Sequence, residues 1–225
     1  DPATSFEIDP AVPNGDNGWY KTKPTVTLEC SDNLSGCFSI SWSFNGVVFT
    51  EELGDEVVLS DGEIPEGELT LHFFSRDGAT DKDGFHNQEI TQTESFKVDT
   101  VSPDVDFYTL DGVSADAFFN PNVPDDVEIF IDASEPVKFN IIRVLNDVDT
   151  QVKFFTQTGS FKETATKTWD GEDSGDVIVP DGTYTLRVDI KDEGGNETEN
   201  IDLETHTITV DTKNPEIDDF DNPDD

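Results

Sequence analysis

Methionine is absent from this 225-residue chain. Cysteine occurs twice, histidine three times, and 13 residues are basic against 51 acidic. Each shortage excludes something. A net charge of −38 repels phosphate, so nucleic acid and anionic membrane surfaces are not partners. No run of about 18 apolar residues exists, so this segment inserts no helix into a membrane. His72, His86 and His206 stand far apart, without a motif-linked Ser or Cys, so no nucleophilic triad is indicated. A Gly-rich phosphate loop is missing. Asp147-Val148-Asp149-Thr150 imitates a phosphoryl-transfer signature but falls at a hairpin turn. A chain that is not an enzyme is expected. Helical periodicity is missing as well.

What is present is alternation. Val26, Leu28 and Cys30 recur at period two, as do Leu69, Leu71 and Phe73. Val127, Ile129 and Ile131 follow suit, then Val137, Phe139 and Ile141, then Tyr184, Leu186, Val188 and Ile190. Further strand-like stretches lie at 38–44, 47–51, 56–60 and 90–99, and a polar loop is expected from Asp77 to Glu89. Short strands separated by regular turn signals predict an all-β chain of antiparallel Ig-like β-sandwiches. Leu, Ile, Val and Phe exceed a quarter of the residues, enough for a core despite the charge. Trp42 is expected in the core, and Tyr184 either there or as a tyrosine corner.

The stretch Val98-Asp99-Thr100-Val101-Ser102-Pro103-Asp104-Val105-Asp106 recurs 112 residues later. The copy is Val210-Asp211-Thr212-Lys213-Asn214-Pro215-Glu216-Ile217-Asp218. That period is one domain long, so each copy reads as a joint between modules. Module one is 1–102 with an extended N-terminal segment, module two is 103–215, and 216–225 begins a linker to a further module. Neighbouring modules of the same chain are the first partners expected.

Several motifs in module one resemble the Ig-like repeats of bacterial and archaeal surface and secreted proteins. They are Asn17-Gly18-Trp19-Tyr20-Lys21, Pro24-Thr25-Val26-Thr27-Leu28, the stretch from Cys30 to Cys37, Phe74-Ser75-Arg76-Asp77 and Val98-Asp99-Thr100. It departs from them where a short D-x-x-G-N turn is usual, because an insert separates Asp77 from Asn87. Module two carries Thr168-Trp169-Asp170-Gly171, Asp181-Gly182-Thr183-Tyr184 and Asp192-Glu193-Gly194-Gly195-Asn196. It resembles the Ig-like domains of the flagellar hook-cap type. Both resemblances imply non-catalytic spacers or interaction modules.

Four sets of residues are candidates for chemistry. Cys30 and Cys37 bracket a loop, too poor in nearby ligands for zinc, and read as a disulfide or, for Cys30, a plain core thiol. Asp77, Asp81, Asp83, Asn87 and Glu89 offer oxygens for a calcium loop that is not an EF-hand, against the plainer reading of a solvated acidic loop. Sandwich geometry brings Asp99, Asp104, Asp132, Glu135, Asp192 and Asn196 to one end of module two, where crowded carboxylates invite Ca2+ between the domains. The plainer reading is that Asp192 and Asn196 cap their own turn. Trp19 and Trp169, at strand edges, are open enough to stack on a ligand.

The expected function is a spacer, stalk or adhesion segment of an extracellular or cell-surface protein, stiffened by Ca2+. An accessory module of a secreted hydrolase that binds a glycan or a surface protein is the alternative. A filament subunit that exchanges strands is another.

Overall fold

The alternation is realised as strands throughout. In the computed structural model, which describes residues 1–123 and 125–213, every regular element is a β-strand. Asp1–Val101 and the short Glu193–Asn196 segment form one unit. Ser102–Asp192 and the chain from Glu197 on form the other. The proposed linker at 216–225, and the second joint copy from Asn214 on, lie outside the described residues.

The first unit has nine strands: β1 (Ala3–Asp9), β2 (Trp19–Tyr20), β3 (Thr25–Ser31), β4 (Cys37–Ser43), β5 (Thr50–Leu53), β6 (Glu56–Leu59), β7 (Gly67–Thr80), β8 (His86–Gln88) and β9 (Gln92–Val98). One sheet runs β1–β3–β6. The other runs β2–β9–β7–β4–β5, with β8 beside β7. Val26, Leu28, Val57 and Leu59 from the first sheet meet Ile40, Leu71, Phe73 and Val98 from the second. Each of these is almost fully buried, the period-two face that a half-buried strand requires. Tyr20 sits among them, and its hydroxyl donates to Pro10 O at 2.8 Å.

The second unit has seven strands: β10 (Val105–Leu110), β11 (Ala117–Phe119), β12 (Val127–Leu145), β13 (Gln151–Phe155), β14 (Lys162–Trp169), β15 (Gly182–Asp192) and β16 (Glu197–Val210). β12 is 19 residues long and serves two sets of partners. Its first part pairs with β10 and β14, and its second with β13 and β15. The ladder breaks between Asp132 and Val137. Pro136 lies there, and with no N–H it cannot continue a ladder. Such interruptions let one strand pass between the layers of a sandwich. The core gathers Ile129, Ile131, Phe139, Trp169, Leu186 and Val188.

The repeated Asp-Thr pair has the same local job in both units. Thr100 donates to Glu66 from its backbone N–H at 3.0 Å and its hydroxyl at 2.8 Å. Thr212 donates to Asp181 in the same way, at 2.9 and 2.7 Å. Each acid directly precedes the glycine that opens an inner strand, Gly67 of β7 or Gly182 of β15. Gly67 takes a φ of 110°, open to glycine but costly for other residues.

Three expectations need correction. The strand expected at 47–51 starts at Thr50. Asn45 Oδ1 accepts the N–H groups of Val47 and Val48, both at 2.9 Å, which holds them in a turn. The loop expected from Asp77 to Glu89 is largely strand, because β7 runs on to Thr80 and β8 returns beside it. Ile141 leaves the inward series: the register shifts between Phe139 and Ile141, so Ile142 and Val144 are buried instead.

Candidate functional site

In both units an inward-facing series ends in a buried aspartate. On β7, Leu69, Leu71, Phe73 and Ser75 lead to Asp77, which is 2% exposed. On β15, Tyr184, Leu186, Val188 and Ile190 lead to Asp192, which is fully buried. Period two therefore commits a carboxylate to the inside at the far end of each series.

Asp192 is the centre of the second unit's candidate site. It pairs across the ladder with Val137, two residues after Glu135. Carboxylate oxygens of half-buried Glu135 and buried Asp192 lie within 4.8 Å of each other. Hard oxygen donors of this kind suit Ca2+. Asp132 and Asp104 of the expected set are placed elsewhere. Asp132 lies on the outward-facing series of β12 with Phe130. Asp104 is exposed, its backbone tied to Ser134 by the N–H at 3.0 Å and the carbonyl at 2.9 Å. Asp99 and Asn196 belong to the first unit, where Asn196 Nδ2 donates to Asp99 O at 3.0 Å.

The loop set in the first unit is divided among separate hydrogen-bond groups. Asp77 accepts from Ala79 N at 3.0 Å and from Asn87 Nδ2 at 3.1 Å. The insert between them is thus accommodated as a hairpin that returns Asn87 to Asp77. Asp81 Oδ1 accepts from Asp83 N and Phe85 N, at 2.8 and 2.9 Å, and closes the hairpin tip. Asp83 is ion-paired with Lys82 at 2.6 Å. Glu89 accepts from Ser75 N and Ser75 Oγ, both at 2.8 Å, from Gln92 Nε2 at 2.7 Å, and from Thr4 N and Thr4 Oγ1. Burial pushes its pKa up, but the donors from Thr4, Ser75 and Gln92 outweigh that and leave it lowered. Thr4 is on β1 of one sheet, Ser75 and Gln92 on β7 and β9 of the other, so Glu89 clasps the two layers.

Cys30 and Cys37 are disulfide-bonded with Cα atoms 6.1 Å apart, and join the end of β3 to the start of β4. Within that loop Asp32 Oδ1 accepts from Leu34 N and Ser35 N, which hold its pKa down to about 2. Trp169 is not open: it is fully buried, its Nε1 donates to Glu172 O at 2.9 Å, and its ring meets Phe119 and Tyr184 edge-on. The last residue of β14 still belongs to that strand's inward series, and this is why it is core. Trp19 is half-buried under Lys97, whose Nζ lies 5.3 Å from the ring centre. Trp42 is half-buried against the core, with Nε1 donating to Glu52 at 3.2 Å. Tyr184 fills both expected roles, since it is buried and donates to Pro180 O at 2.6 Å.

Sequence reasoning missed the paired arginines. Arg143 grips Asp189 through two hydrogen bonds of 2.8 and 2.5 Å, and these hold the Asp189 carboxyl below its ordinary range. Arg187 binds Asp202 and Arg76 binds Glu51. Only strand register could have matched these partners, and register is not legible from composition.

No protein family and no curated protein matches the chain. Among solved structures it is similar to fibronectin(III)-like modules of CbhA from Clostridium thermocellum, at 12% identity and TM-score 0.29. That match covers 92% of this chain and 94% of that one. It is similar to dimeric latent PorU from Porphyromonas gingivalis at 19% identity and TM-score 0.36, over 94% of this chain and 20% of that one. A 1.5-MDa bacterial ice-binding adhesin is similar at 15% identity and TM-score 0.35, over 93% of this chain and 65% of that one. At these scores the likeness carries no function, and the all-β fold stands on the ladders described above.

Proposed function

We propose that the chain is a non-catalytic structural segment of an extracellular or cell-surface protein, a spacer, stalk or adhesion module stiffened by Ca2+. The close approach of the Glu135 and Asp192 carboxylates supports the calcium part, because crowded hard oxygen donors of this kind suit Ca2+. The disulfide supports an oxidising compartment. Of the histidines, His86 is stacked on Phe38 and His206 packs on Tyr108.

The strand-exchange alternative is weakened by β1. All seven of its residues pair antiparallel with β3 of the same unit, so the N-terminal stretch fills its own sheet. Trp169 in the core weakens ligand stacking at that position. Calorimetric titration of the EDTA-stripped chain with CaCl2 is expected to give saturable binding that Mg2+ does not reproduce. Absence of binding heat would remove calcium from the account and leave the structural role standing on the fold.

A further inference from the structure

A second kind of site lies on the outer face of the first unit, where β5, β4, β7 and β8 run side by side. Phe38, Glu51, Arg76, Phe85, His86 and Gln88 line an open cleft of about 520 Å³, within the size range of small-molecule sites. The register shift between Cys37 and Ser39 takes Phe38 out of the strand's regular alternation. Its ring stacks on His86 with centroids 3.8 Å apart and planes 14° from parallel. Phe85 stands at the hairpin tip, 72% exposed. Its backbone is fixed by the Asp81 carboxylate. A large apolar ring held outward on a tied turn is the reverse of what burial favours.

The same cleft is lined by a fork of planar polar groups. Arg76 Nη1 binds Glu51 Oε1 at 2.6 Å, and Arg76 Nε binds Gln88 Oε1 at 3.1 Å. Ser39 Oγ adds a bond to the same Glu51 oxygen at 2.7 Å, and the guanidinium rests 5.1 Å over Phe74. Arg76 is held through two nitrogens, Glu51 and Gln88 through one oxygen each, and each group keeps another polar atom unused among the described residues. Arg76 Nη2 and Gln88 Nε2 remain as donors, and Glu51 Oε2 as an acceptor. The Arg76 charge is neutralised by Glu51, so the cleft favours neither an anion nor a cation.

We infer that this cleft binds a neutral pyranose sugar. The apolar C–H face of the ring packs on Phe85 and Phe38. Neighbouring hydroxyls, each donor and acceptor at once, match two donors and an acceptor set in advance. The inference goes beyond the structural role and needs no calcium. It also relocates ligand stacking from Trp19 and Trp169 to phenylalanines.

The test is NMR titration of the full chain with maltose, cellobiose, lactose and diacetylchitobiose, using sialyllactose and tetralysine as charged comparators. At least one neutral sugar is expected to shift the Phe38, Phe85 and His86 ring signals saturably, with Kd on the order of 1 mM. Phe85→Ala and Gln88→Ala, both at exposed positions, are expected to weaken it about fivefold or more while the melting temperature holds. No shift with any neutral sugar would overturn the inference. So would stronger shifts with either charged comparator, or shifts that both variants leave unchanged.

Discussion

At the scale of the residue, burial separates the aromatic side chains that hold the fold from those that cover it. Trp169→Ala removes a fully buried ring with two aromatic neighbours, and is expected to cost about 3–5 kcal/mol in denaturant unfolding. Trp19→Ala removes a half-buried ring and is expected to cost far less. Similar losses for both would contradict the packing. Glu89 gives a test with a sign. Its pKa is lowered in the folded state, so its contribution is complete above the ordinary Glu value of about 4.3. It is lost as pH falls through the folded value. Glu89→Gln turns an acceptor into a donor facing other donors and is expected to cost about 1–2 kcal/mol near neutrality. The gap from wild type closes in acid. A gap that persists or widens there would show that the clasp is not ionic.

At the scale of the element, the disulfide is the clearest case. It closes a loop between cysteines seven apart in sequence, at the corner where β3 passes to β4. Replacing both by Ser is expected to cost about 2.5 kcal/mol on the chain-entropy account, with the second unit's own unfolding unchanged. Loss of stability in both units together would mean that they unfold as one.

This scale also shows what was legible in the sequence. Series such as Tyr184, Leu186, Val188 and Ile190 announce their strand and its inward face, whereas Asp192, expected in a turn, continues that series into the core. The Asp-Thr repeat announced two copies of something, although its clamps on Glu66 and Asp181 became visible only with the partner in place. Bulges were not legible. One extra residue reverses the faces beyond it, and nothing in Phe139-Asn140-Ile141 marks where that happens. The calcium loop was read from acids close in sequence, but side chains on a hairpin diverge to different partners. Asp77, Asp81 and Glu89 each found a separate set of donors.

At the scale of the whole molecule, a charge of −38 is a standing cost of self-repulsion. Screening lowers it, so NaCl alone is expected to raise the melting temperature of wild type and variants alike. Calcium has to be distinguished from that general effect, and the Glu135–Asp192 pair supplies the distinction. The most direct measurement is thermal unfolding at matched ionic strength, in CaCl2 or in EDTA, of the wild-type chain and of Asp192→Asn. With free Ca2+ about 100-fold above its Kd, the wild-type second unit is predicted to melt roughly 10 °C higher, and Asp192→Asn is predicted to lose most of that gain. Equal melting with and without Ca2+, or an undiminished gain in Asp192→Asn, would contradict a calcium-stiffened structural module.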